Sequence, residues 1–271
     1  MQPTTSGGRR LELAGRKAAA PDPARSLALL WGSHTKPGRS GLTVRAIVDT
    51  AIELADAQGL EALSMRMVAD RLKVGTMSLY THVPGKGELT DLMFDTVYGD
   101  LYDDVDEPAR QTGGWRGALE FIARRNWDVL TKHPWIHEVP TARNALGPNI
   151  TLKYEAELRP LDGLGLSDVE MDSVLALVLT HVQGTARAGA EQLRTQRESG
   201  LSDQEWWTGI SPTLATVMSG AADRFRLAGR VGTSVGEHFQ STMDAAHALT
   251  FGLTRILDGV GLLIAERSAV E

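Results

Sequence analysis

The sequence predicts an all-α protein, with a small three-helix unit near its N-terminus and a larger helical bundle behind it. Apolar residues recur at i, i+3, i+4 and i+7 in segment after segment from Thr43 onward. No alternating β-rich stretch or hairpin dipeptide interrupts them. Two short helical patterns, Met65–Leu72 and Thr76–His82, meet at Val74-Gly75. With 271 residues, 42% of them apolar, the chain can bury a sizeable core in one or two domains.

Residues 1–41 are rich in Gly, Pro, Ser, Ala and Arg and show no lasting periodicity, so they read as a mostly disordered basic arm. Lys36 and Arg39, just ahead of the first helix, are placed to reach a minor groove or phosphates as other basic arms do. The apolar run Leu27–Trp31 is too short for a signal-peptide core or a membrane span, which predicts a cytoplasmic protein without a membrane partner.

The first helix is expected from Thr43, its cap, to Gln58, with Gly59 ending it. Ser64 caps the second, which places Met65, Val68, Ala69 and Leu72 on one face. The third runs from Thr76 to His82 and is stopped by Pro84-Gly85. Two short helices joined by a tight Gly-containing turn form a helix-turn-helix, whose second helix presents its N-terminal residues to base edges. Here those are Thr76, Met77 and Ser78.

A connecting helix follows over about 87–102, with Leu89, Leu92, Met93 and Val97 on one face. The acidic residues Asp95, Asp100, Asp103, Asp104, Asp106 and Glu107 read as a solvated linker face. Further helices are expected near 115–132, 134–140, 147–162, 168–198, 212–228 and 241–266. The last is apolar over more than one stripe, and a terminal helix of that kind is most easily buried against a second subunit. Phe251, Leu253, Ile256, Leu257 and Val260 are the candidate dimerisation residues, with Gly252, Gly259 and Gly261 allowing close helix approach.

The absence of cysteine excludes disulfides, thiol redox sensing, thiolate zinc sites and cysteine nucleophiles. No nucleophile elbow, P-loop, dinucleotide fingerprint or His-Glu-x-x-His motif is present, so neither an enzyme nor a cofactor is expected. His133-Pro-Trp-Ile-His137 resembles a metal pair at i, i+4, but Pro134 interrupts the helix and no third ligand is indicated, so no metal site is assigned. The net charge of −6 conceals an uneven distribution. Residues 1–40 hold seven basic and two acidic residues, whereas 91–271 hold sixteen and 26, so basic groups near the motif can still neutralise phosphates. A helical body of this size can enclose a small-molecule pocket lined by aromatic and a few polar groups. Trp127, Trp135, His137, His181 and Gln183 are the candidates.

The run Leu79-Tyr80-Thr81-His82, the loop Val83-Pro84-Gly85-Lys86 and the following Glu88-Leu89 resemble the DNA-binding domain of the TetR family of transcriptional regulators over roughly residues 42 to 95. Phe251-Gly-Leu through Leu257-Asp-Gly259 is similar to the end of the tetracycline-repressor-like C-terminal domain in one branch of that family. The resemblance implies a DNA-binding domain at 42–90 and an effector-binding and dimerisation domain at 91–271. It implies a homodimeric repressor that binds a palindromic double-stranded DNA operator and is released when a small-molecule effector moves the connecting helix. Subunits would pair through the helices near 168–198 and 241–266. By the same resemblance Arg66 reaches a guanine edge, and Tyr80, His82 and Lys86 hold phosphates. Thr43 and Arg45, at the start of the first helix, complete the set of candidate DNA contacts. An activator or a regulator without small-molecule control stays open, as does a helical metal-binding protein or enzyme.

Overall fold

A computed structural model describes residues 23–32, 42–140 and 146–269, and every regular element among them is helical. In chain order the helices are α1 (Pro23–Trp31), α2 (Val44–Gln58), α3 (Met65–Leu72), α4 (Thr76–Tyr80), α5 (Lys86–Val97), α6 (Gly114–Lys132), α7 (Pro148–Leu158), α8 (Asp168–Ser199), α9 (Asp203–Gly220), α10 (Ala222–Phe239) and α11 (Ala245–Ser268). A 3₁₀ turn, Pro134–Glu138, joins α6 to the segment before α7.

Helices α2, α3 and α4 form the expected three-helix head. The Thr43 hydroxyl accepts from the Ala46 amide at 3.1 Å and the Ser64 hydroxyl from the Met67 amide at 3.3 Å, so both caps satisfy backbone donors that the helices leave open. Ile47, Ala51, Val68, Ala69, Leu79 and Val83 fill the head's core. In the turn between α3 and α4 the left-handed residue is Lys73, at φ 57°, while Gly75 is extended at φ −69°. The second helix of the motif is also shorter than predicted and closes at Tyr80.

The stretch Pro23–Trp31, read from sequence as part of an irregular arm, is helical. Ser26 and Leu30 are buried, and the Ser26 hydroxyl donates to the Asp91 carboxylate of α5. The Trp31 indole N–H donates to the Leu146 carbonyl at 2.8 Å. Nine residues are too few for a stable isolated helix, so α1 owes its form to this docking.

Helix α5 belongs to both halves. Leu89 and Met93 are fully buried, and Asp95 at its far end accepts from the Asn149 and Ile150 amides at 3.4 and 3.0 Å, which caps α7 from outside. Asp95 is therefore buried rather than part of a solvated linker face, and its pKa is raised by that burial. Gly147 makes the approach possible, because a Cβ there would lie 2.2 Å from the Asp95 carboxylate. Of the remaining linker acids, Asp104 forms a two-pronged pair with Arg110 at 2.8 and 2.7 Å, and Asp106 pairs with Arg159. The chain leaves the helix at Val97 so that Tyr98 and Leu101 can turn back into the core.

Behind α5 lies a buried polar knot. Glu157 is fully buried and accepts from Lys153 at 2.6 Å, the Tyr102 hydroxyl at 2.7 Å and Asn126 at 2.7 Å. Burial and the neighbouring carboxylate push the Tyr102 pKa upward, so its hydroxyl stays protonated and donating. Helices α8 and α11 run antiparallel: Ala245 meets Gly189, Gly252 meets His181 and Arg267 pairs with Glu170. The segment expected as a single helix at 212–228 is two helices instead. A capping box between Ser202 and Glu205 starts α9 nine residues before its Pro212, and the backbone leaves helical geometry within α10 at Phe225.

Replacing Asp95 with Ala removes the external cap of α7 and is expected to lower unfolding free energy by about 1–2 kcal/mol. Chemical denaturation followed by circular dichroism measures it, and an unchanged midpoint would show that the cap contributes nothing.

Candidate functional site

Burial sorts the head into a core side and a reading side. Leu79 is fully buried, whereas its helical neighbours Met77 and Tyr80 are 77% and 42% exposed, and Thr76 and Ser78 are half-buried. On α3, Arg66 stands out with an 85% exposed side chain, 3.7 Å from Asp70, and on α2 Arg45 lies 3.3 Å from Asp49. Exposed pairs of this kind contribute little to stability, so both guanidiniums can exchange a carboxylate for a phosphate or a guanine edge at small cost. The sequence candidates Thr76, Met77, Ser78, Tyr80, Arg66 and Arg45 thus lie on exposed or half-exposed parts of the head.

Three candidates have structural duties. The Thr43 hydroxyl is occupied as a cap. Lys86 donates to the Leu60 and Glu61 carbonyls at 2.8 and 3.2 Å, which clips the start of α5 to the end of α2 and leaves one ammonium proton for a phosphate. His82 is half-buried in the turn after α4, its amide bonded to the Leu79 carbonyl at 2.9 Å. Lys36 and Arg39 lie outside the described residues.

A cavity of about 1140 Å³ opens where the head meets the body. The end of α2 forms one wall with Asp56, Gln58 and Gly59. Trp127 of α6 and Trp135 and His137 of the 3₁₀ turn form a second, and Arg187, Glu191 and Arg194 of α8 a third. Phe239 and the start of α11 complete the lining. The Nε2 atom of His137 is buried without a hydrogen-bond partner among the described residues. Burial, then the charge of Arg187, lowers the His137 pKa against an opposing pull from Glu191, which favours the neutral ring. Trp127 and Trp135 give the cavity an aromatic surface, and Arg187, Glu191 and Arg194 a charged one. No group of three or more potential metal ligands occurs among the described residues, and His133 is engaged with Asp56 at 2.8 Å.

Two pocket candidates fall elsewhere. His181 is packed between α8 and α11, its Nε2 3.0 Å from the Leu249 carbonyl and against Gly252, where a Cβ would lie 2.3 Å from the ring. Gln183 is exposed on the outer side of α8. Among the dimerisation candidates, Leu257 and Val260 are buried in the core of a single chain and are not available to a partner. Leu253 and Ile256 are half-buried beside them, whereas Phe251 is 54% exposed. Sequence reasoning missed Asp56, Glu61, Glu138 and Arg187. Asp56 lies 77 and 79 positions from its partners His133 and Trp135, a distance that no local pattern bridges.

An exposed second helix on a helix-turn-helix head, with a cavity between that head and a helical body, is the geometry of a DNA-binding protein with room for a small molecule. Residues 47–92 match the bacterial regulatory proteins of the tetR family, and residues 107–264 match the tetracyclin repressor-like C-terminal domain. The HTH-type transcriptional repressor DrrR1 of Streptomyces coeruleorubidus is 39% identical over 250 residues, 91% of this chain and 88% of the relative. Apo ActR from Streptomyces coelicolor superposes with a TM-score of 0.63 at 26% identity, over 88% of this chain and 100% of that one. ActR in complex with (S)-DNPA does so at 0.62 and 27%, with the same coverage.

The chain belongs to the TetR family. It is thus a DNA-binding transcriptional regulator, of a class that is not enzymatic.

The unpaired His137 nitrogen yields a stability test. A His whose folded pKa is depressed contributes stability that is present above its unfolded pKa of about 6.5 and is lost as pH falls through the lower folded value. Replacing His137 with Phe removes both the unsatisfied nitrogen and this titration, and is expected to stabilise the protein at neutral pH by about 1 kcal/mol. Melting curves between pH 7.5 and 5 should show a gap that widens in favour of the variant below pH 6.5. A variant no more stable than the wild type at any pH would contradict the assignment.

Proposed function

We propose that the chain works as a cytoplasmic homodimer that reads a palindromic operator with its two heads and releases it when an effector enters the cavity. The observation that carries this reading is the shared wall: Asp56 and Gly59 of the head and Trp127, Trp135 and His137 of the body face the same space. A ligand that binds there acts on the joint between the two units, and it shifts DNA affinity to the extent that it prefers one arrangement of that joint. The crystallised complex of ActR with (S)-DNPA supports a small-molecule effector for this chain also.

Pairing through α8 and α11 is supported by what a single chain leaves uncovered. Leu177 on α8 and Phe251 and Leu262 on α11 are 50%, 54% and 69% exposed. Helix α11 is long and apolar enough by length and composition to cross a bilayer, yet Leu257 and Val260 sit in the protein core and Arg255 and Asp258 lie exposed in mid-helix. Two mid-helix charges are costly in lipid and tolerable at the rim of a subunit interface. Two heads in a two-fold dimer meet half-sites about one DNA turn, ~34 Å, apart.

Within this reading Arg66 is the base-reading residue, Thr76, Met77 and Ser78 line the groove, and Tyr80 and the remaining Lys86 proton hold phosphates. Binding to the DNA upstream of its own gene, measured by fluorescence anisotropy at several salt concentrations, is the test. Arg66→Ala is expected to weaken binding by about 1–3 kcal/mol and to relax preference at one base pair of each half-site, whereas Tyr80→Ala weakens all sequences alike. Affinity should fall linearly with salt on logarithmic axes. An Arg66→Ala protein that binds and discriminates like the wild type would overturn the assignment.

A further inference from the structure

Three contacts join the head to the 3₁₀ turn Pro134–Glu138 by a route that bypasses the body of α5. Asp56 Oδ1, in the last turn of α2, accepts from the Trp135 indole N–H at 2.8 Å and lies 2.8 Å from His133 Nδ1. The Glu61 amide, just beyond α2, donates to Glu138 Oε2 at 3.1 Å. Both aromatic donors are buried, Trp135 at 1% and His133 at 7% exposure, so separating them from their acceptor would leave buried N–H groups unpaired.

Asp56, Glu61, Trp135 and Glu138 also line the cavity. The surface that would receive a ligand is thus the surface that holds the head. Beyond it, the Glu61 carbonyl accepts from Lys86, the first residue of α5, and Val83, three residues earlier, is fully buried in the head. A shift at Asp56 and Glu61 therefore reaches the start of α5 and the loop after α4 through bonded contacts.

Resting on the reading that the cavity takes the effector, we propose that Asp56 is the positioning residue that couples the cavity to the DNA-reading helix. Coupling between two sites is reciprocal, so it can be read from the DNA side without knowing the effector. The probe is a duplex selected from a random pool by the wild-type protein, and the readout is amide hydrogen exchange over residues 133–139, free and DNA-bound. In the wild type, DNA should change exchange there by at least about fivefold. Asp56→Ala, which leaves the exposed surface of α3 and α4 intact, should bind the same duplex within about threefold while the change at 133–139 falls below about twofold. Asp56→Asn keeps an acceptor oxygen and should restore most of the response. If Asp56→Ala does not fold by circular dichroism, Glu138→Ala removes the other acceptor and carries the same expectation. A variant that relays like the wild type, or a wild type in which 133–139 ignores DNA, overturns the proposal. Failure of the wild type to select any duplex would instead overturn operator reading by the head, a result distinct from loss of the relay at Asp56.

Discussion

The arrangement of head and body depends on a buried carboxylate. Asp95 sits at the body end of α5 and accepts two amides from the start of α7, while Lys86 at the head end donates to two carbonyls beyond α2. Between them Leu89 and Met93 are fully buried. The helix is thus fixed to a different unit at each end and cannot move relative to one without disturbing the other. Burying Asp95 raises its pKa, which marks the energetic cost of placing the group there, and the α7 amides offset that cost. Helix α1 adds a clasp from outside through Ser26 and Asp91.

The reading helix itself is only five residues long and cannot be stable alone. It holds its place because Leu79 and Val83 are locked into the head's core, which leaves Met77 and Tyr80 outward. Anything that shifts the seat of Val83 therefore shifts the reading surface. Lys86, three residues after Val83, donates to the Glu61 carbonyl, and Glu61 lines the cavity, which sets the cavity wall close in sequence to the end of the reading helix.

Much of this was legible in the sequence because it is locally encoded. Thr43, Ser64 and Gly59 mark helix ends by their own chemistry, and Ser64–Lys86 has the spacing of a helix-turn-helix. Trp127, Trp135 and His137 stand out in the sequence because aromatic and imidazole groups are few in this body, and all three line the cavity. What failed was encoded at long range. Asp95 looks like its exposed acidic neighbours, and only α7, some fifty positions away, makes it a cap. Pro212 resembles a helix start but lies within α9, whose true start is the capping box at Ser202. His181 was read as a pocket group, whereas Gly252 on a distant helix gives it a slot between α8 and α11. Leu257 and Val260 share the periodicity of a partner-facing stripe, and only the packing of α11 into the body shows that they face inward.

In the proposed dimer the two heads act as a pair whose separation responds to DNA. Because the chain has no cysteine, one spin label at the exposed loop residue Ala62, introduced as Ala62→Cys, reports the distance between heads in a dimer. Pulsed electron paramagnetic resonance, with and without a selected operator duplex, measures it. The account predicts an inter-subunit distance that is broad in the free protein and shifts to one narrow value on DNA. A protein with no inter-subunit dipolar signal, or with a distribution that operator DNA leaves unaltered, would contradict it.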